Sequence, residues 1–182
     1  MLYELKVVST LAGEHDTQAL HYAMLQDVRL VKLINFGESK VCGKVLSNAL
    51  GADKRFRPTL RNSGLRIITP QCERLVAHLK SLLHDWGTHL ASQLYNEAIV
   101  HHFGGEAHCA QRVELNDGDQ LLGTHRVQFH GDGHAFVVTS LSRDQAAYRR
   151  HLDALLAHTG LNSIQWINLN RARVEITTIE NP

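Results

Sequence analysis

Cysteine is scarce in this chain: Cys42, Cys72 and Cys109 are odd in number and widely spaced. No Cys-x-x-Cys pair occurs, which removes a disulfide framework and a zinc knuckle from the reading. A reducing cytoplasm is then the expected compartment. Long apolar runs are missing too, so no segment is expected to span a membrane. The opening MLYELKVVST mixes Glu and Lys into its first apolar run, unlike the unbroken stretch of a signal peptide. Excess charge of either sign is also absent. Lys and Arg number 19 against 18 Asp and Glu, a formal net charge of +1. With no general field to hold a polyanion, any nucleic-acid contact must come from a local patch. Residues 54–61, KRFRPTLR, are that patch, and a solvated linker is its plainer reading.

Apolar residues make up 43% of 182 positions, enough for a real core in one domain or two small ones. Leu2 to Val8 reads as a strand with Glu4 and Lys6 on one face. Residues 14–26 read as a helix with Ala19, Leu20, Ala23 and Met24 as its apolar stripe. Strands follow at 28–36 and, more weakly, 40–46. The polar, basic stretch from 51 reads as a linker, with a short strand at 65–69. Leu75, Leu79, Leu82 and Leu83 mark a helix up to Trp86, and a second helix runs to Phe103 before Gly104-Gly105. Strands are expected at 110–115, 121–130 and 134–141, joined by Asn116-Asp117-Gly118 and Gly131-Asp132-Gly133 turns. A helix at 142–158 and strands at 163–169 and 173–179 complete the chain. Domain boundaries are placed at 1–50, 51–69 (linker) and 70–182.

The beginning and the end of the chain share an order: strand, helix, strand, strand. Ile34-Asn35-Phe36 lines up with Ile167-Asn168-Leu169, and Lys40-Val41 with Arg173-Val174. Two generic βαββ units would look this way, but the shared spacing favours a duplication.

Glu4-x-Lys6 sets a carboxylate and an ammonium side by side on a strand. With a nearby Asp, such a pair holds a divalent cation and orients water; alone, it is a common surface ion pair. Gln18 and Tyr22, four apart, share one helical face. Glu-Leu-Lys, then Glu14-His15, then Gln18-xxx-Tyr22, then Leu-Ile-Asn-Phe-Gly resembles the C-terminal half of the GxxExxY family, a branch of the PD-(D/E)XK nuclease superfamily. The resemblance covers about residues 2–46. It implies a restriction-endonuclease-like α/β fold of mixed sheets flanked by helices, a partial βαββ unit followed by a fuller αβββαββ unit. It also implies catalytic roles for Glu4, Lys6, Gln18 and Tyr22, with Glu4 as the metal ligand. The family's N-terminal half, with its metal-binding Asp, would precede Tyr3, where only Met1 and Leu2 stand. One reading of this is that the natural start lies upstream.

Residues 87–180 resemble the same family more distantly over its whole length. The opening-helix motif falls on His89, Ser92 and Tyr95. Gly123 and Arg126 keep their places, but the Asp position holds Gln128. Ungapped, the Glu and Lys positions hold Val138 and Ser140; a slip of one residue gives Val137 and Thr139, or Thr139 and Leu141. The Gln-xxx-Tyr positions fall near His151 and Leu155. No register restores a carboxylate or a lysine, and Mg²⁺ needs hard oxygen ligands. Asp117, Asp119 and Asp132 sit in or beside turns and read as turn formers.

Thirteen histidines, crowded at 101, 102, 108, 125, 130 and 134, raise a zinc site as one reading, with surface and packing roles as the other. Asp144 and Arg149-Arg150 read as a solvated helix face. The expected function is a catalytically degenerate nuclease-like protein serving as a binding or assembly module, a homodimer because an orphan half-module leaves a sheet edge unpaired, with no cofactor. The alternative is a Mg²⁺-dependent nuclease using Glu4 and Lys6 with an acid supplied by another segment or subunit.

Overall fold

The structure is a computed structural model and describes residues 1–50 and 52–180. It is α/β, with two mixed sheets flanked by helices, as a restriction-endonuclease-like protein requires. The chain divides into two compact units, Met1–Phe56 and Arg57–Pro182.

In the N-terminal unit, β1 (Leu2–Lys6) runs parallel to β2 (Leu30–Asn35), which pairs antiparallel with β3 (Cys42–Ser47). Helix α1 (Gly13–Leu25) makes the parallel crossover possible. Its first turn carries Glu14 and Asp16, which suit the positive end of a helix. Ala19 and Ala23 present small side chains to the sheet, letting the helix close on Val31, with Leu2 and Leu46 at the margin. α2 (Ala52–Arg55) ends this unit. Arg55 is buried, donates to the Met24 carbonyl and lies 5.0 Å from the Phe56 ring centre. The basic stretch 54–61 is therefore not an open row of cations, because one of its arginines is spent on packing.

The C-terminal unit builds a six-stranded sheet in the order β4-β9-β8-β7-β6-β5. Its strands are β4 (Thr59–Gly64), β5 (Ala110–Asp117), β6 (Gln120–Gly131), β7 (His134–Thr139), β8 (Ser163–Asn170) and β9 (Arg173–Glu180). Strand β4 corrects the expectation of a linker over 51–69: this stretch holds α2 and a sheet strand parallel to β9. The expected strand at 65–69 is displaced to 59–64. Past the register shift at Arg61–Gly64, the Thr178 hydroxyl brackets Arg66 instead, accepting from its N–H (2.8 Å) and donating to its carbonyl (2.9 Å).

Both faces of this sheet are covered. α6 (Gln145–Ala157) packs Leu152 and Leu156 onto Ala135, Ile164, Trp166 and Ile179. The opposite face takes α3 (Pro70–Trp86) and α4 (Ser92–His102). Thr69 caps α3 by accepting from the Cys72 N–H, and Pro70 occupies its first turn. Leu75, Leu79, Leu82 and Leu83 are buried along one stripe, as their spacing predicts, each contributing about 1.5–3 kcal/mol. A short α5 (Glu106–Cys109) precedes β5. Among the described residues no helix is long and apolar enough to cross a membrane.

The two units share a βαββ topology and its pairing register. Lys6 faces Asn35 and Thr139 faces Asn168; 139 − 6 and 168 − 35 are both 133. The same shift carries the Asn35–Cys42 pair onto Asn168–Glu175. α1 and α6 each span 13 residues between these strands.

Candidate functional site

Strand alternation puts Leu2, Glu4 and Lys6 on the face of the N-terminal sheet that α1 covers, while Tyr3 and Leu5 point the other way. Lys6 Nζ lies 3.0 Å from Glu4 Oε1, and both side chains are less than one-fifth exposed. Lys6 also donates to Gln18 Oε1. One turn further along α1, Gln18 Nε2 donates to the Tyr22 hydroxyl oxygen at 3.1 Å. The four residues singled out from the sequence thus form one continuous chain, Glu4–Lys6–Gln18–Tyr22. Two elementary periods bring them together: two residues along a strand and four along a helix.

Asn35 completes this arrangement, and sequence reasoning gave it no role. It is fully buried at the end of β2. Its Oδ1 accepts from the Val8 and Gly37 N–H groups at 3.0 and 3.1 Å, and its Nδ2 donates to the Val8 carbonyl at 2.8 Å. This clamp fixes the backbone two residues beyond Lys6. An amide closing an otherwise apolar strand was the available signal, since buried polar groups are almost always hydrogen-bonded.

The quartet is an immobilised ammonium held between a carboxylate and an amide. It can orient a hydrogen-bonding ligand or water, but by itself it does not fit a divalent cation. Mg²⁺ prefers several hard oxygen ligands. Glu4 is the single acid in the quartet and one of its oxygens faces Lys6, while the amide oxygen of Gln18 is occupied. Among the described residues, no three His, Cys, Asp or Glu side chains converge as a metal-ligand set.

Asn168 repeats the clamp in the C-terminal unit. Its Oδ1 accepts from the Leu141 N–H at 2.7 Å and its Nδ2 donates to the Leu141 carbonyl at 3.0 Å. Counted from this clamp, Val137 stands where β1 has Glu4 and Thr139 where it has Lys6. This count coincides with the slipped register, Val137 and Thr139, and not with Val138 and Ser140. The Thr139 hydroxyl is engaged within the fold, accepting from Trp166 Nε1 (2.8 Å) and donating to Asn168 Oδ1 (2.9 Å). Gln128, Val137, His151 and Leu155, all among the positions or alternative registers that the resemblance offered, line one cavity of about 290 Å³. Among the described residues no carboxylate lines it.

Of the remaining expected residues, Tyr95 is a core side chain whose hydroxyl donates to the Gly87 carbonyl at 2.7 Å. Ser92 opens α4 and Ala91 holds its cap position. Several histidines serve packing and local hydrogen bonding. His78 stacks on His102 with 3.9 Å between ring centres, His134 Nδ1 lies 2.9 Å from Ser163 Oγ, and His158 Nδ1 lies 2.8 Å from the Asn116 carbonyl. Asp144 sits at the N-terminus of α6 with left-handed φ, and Arg149 pairs with Asp153 at 3.0 Å on the helix surface.

No match to this chain is found among curated proteins or among solved structures. One family does match: residues 1–45, the segment that holds Glu4, Lys6, Gln18, Tyr22 and Asn35, fit the model of the PD-(D/E)XK nuclease superfamily.

Proposed function

We propose that this is a catalytically degenerate nuclease-like protein that works as a binding or assembly module. On this reading the C-terminal unit is a second, fuller copy of the GxxExxY-type module, and the N-terminal unit is a partial copy. The observation that carries it is the cavity bounded by Gln128, Val137, His151 and Leu155. On this alignment Val137, His151 and Leu155 stand where a nuclease of this superfamily carries its Glu, Gln and Tyr, and Thr139 where it carries its Lys. The shared register of the two βαββ units supports the alignment on which that statement rests.

The intact Glu4–Lys6–Gln18–Tyr22 chain favours a second reading: a Mg²⁺-dependent nuclease whose missing acid comes from another segment or subunit. Lys6 would then stabilise developing negative charge, and Gln18 and Tyr22 would position the scissile strand. Incubating the full chain with single- and double-stranded DNA in Mg²⁺ or Mn²⁺ separates the two. The degenerate reading expects no cleavage above a no-protein control. Cleavage abolished by Lys6→Ala would establish the nuclease.

A further inference from the structure

Strand β1 lies at one edge of its sheet, and its outward face is apolar. Tyr3 and Leu5 are 60% exposed and Val7 80%. The matching face of the C-terminal sheet looks different. Phe136 and Ile167, the register equivalents of Tyr3 and Ile34, are buried, and Gln165 on the same face reaches Cys72 of α3. There β7 is also paired on both sides, with β6 and β8. The same strand is thus interior in one unit and an open edge in the other, and unprotected apolar edges recruit strands.

The backbone of β1 specifies which residues a new strand would meet. The Lys6 carbonyl accepts from the Phe36 N–H at 2.8 Å, so the even-numbered residues spend their backbone groups on β2. Tyr3, Leu5 and Val7 therefore turn their N–H and C=O groups to the open side. A second copy of β1 approaching antiparallel has few registers that match such groups. Centring on Glu4 sets two carboxylates opposite each other, and centring on Lys6 sets two ammonium groups opposite each other. Centring on Leu5 places Glu4 across from the partner's Lys6, Lys6 across from the partner's Glu4, and Tyr3 across from the partner's Val7. Opposite charges facing across strands stabilise the pair and like charges oppose it. α1 makes its main contacts with β2 and β3.

We propose that two copies of this chain associate through antiparallel pairing of β1 with β1, on a twofold axis at Leu5, forming a continuous six-stranded sheet across the dimer. This isologous contact is self-complementary because Glu4 and Lys6 are equidistant from Leu5. It joins the two Glu4–Lys6 pairs into one two-by-two cluster of alternating charges. The proposal deepens the assembly reading above, yet it is tested apart from it, since oligomeric state is measured without metal or DNA.

Sedimentation of the full chain over a concentration series should show twice the monomer mass. Glu4→Lys and Lys6→Glu each create like-charge pairs at both symmetric positions and should each weaken the dimer roughly ten-fold or more. Mixing the two variants pairs an all-positive row with an all-negative one and should restore a heterodimer. Leu5→Pro removes an outward N–H that β2 does not use, and should give a monomer with unchanged circular dichroism. A monomeric wild type, single variants that remain as dimeric as wild type, or folded variants that fail to associate on mixing would overturn the proposal.

Discussion

Asn168→Leu is expected to destabilise the C-terminal unit by on the order of 4 kcal/mol. Leucine fills a similar volume but neither accepts nor donates. It strands the Leu141 N–H and C=O and the Thr139 hydroxyl, all held by Asn168 within 3.0 Å. Each buried group left without a partner costs about 1–3 kcal/mol. Trp86 and Trp166 both lie in this unit, so urea unfolding followed by tryptophan fluorescence reads the loss directly. A midpoint within error of wild type would mean that the clamp is replaced by water and fixes nothing. Asn35→Leu is the matching change in the N-terminal unit, and its expected signature is faster hydrogen exchange at the Val8 amide, which Asn35 now holds.

The second large effect is acid sensitivity centred on His130. This ring is 3% exposed, with Phe103 and Phe136 about 6 Å away by ring centres and Cys72 Sγ 4.0 Å from Nε2. Cys72 already accepts hydrogen bonds from Thr69 and Gln165, so the cluster is arranged around a neutral imidazole. Burial, and then the neighbouring His134, push the His130 pKa down from 6.5 to about 4. The unfolded chain therefore binds the proton more readily than the folded one between those values. Stability from this site is fully present above pH 6.5, falls as the pH drops through the window, and levels off below about 4. The whole drop is worth about 3 kcal/mol. Other groups also titrate in this range, so the informative quantity is the difference between wild type and His130→Leu in urea unfolding at pH 7 and pH 4. The variant should lose less on acidification by about that amount. Equal acid losses would assign the sensitivity to carboxylates elsewhere.

The quartet was legible in the sequence because its geometry is local. Glu4 and Lys6 need only the strand period, Gln18 and Tyr22 only the helix period, and one crossover brings the two faces together. The register of β7 was not legible to one residue. AFVVTSL is apolar or small throughout, as a strand covered on both faces is, so the two-residue alternation that fixes register is absent. Pairing with Asn168 supplies that register from 29 positions away. Strand β4 escaped for the opposite reason: TLRNSG is exposed along its whole length and carries no apolar signal. It is a strand because the β9 edge accepts it, a contact more than a hundred residues distant in sequence.

One carboxylate beside an ammonium does not hold a hard cation. Isothermal titration of Mn²⁺ into the full chain tests this most directly. The expected result is heat indistinguishable from dilution, the same for wild type and for Glu4→Ala. Saturable binding at one ion per chain, lost in Glu4→Ala, would contradict it and establish that a second acid reaches Glu4.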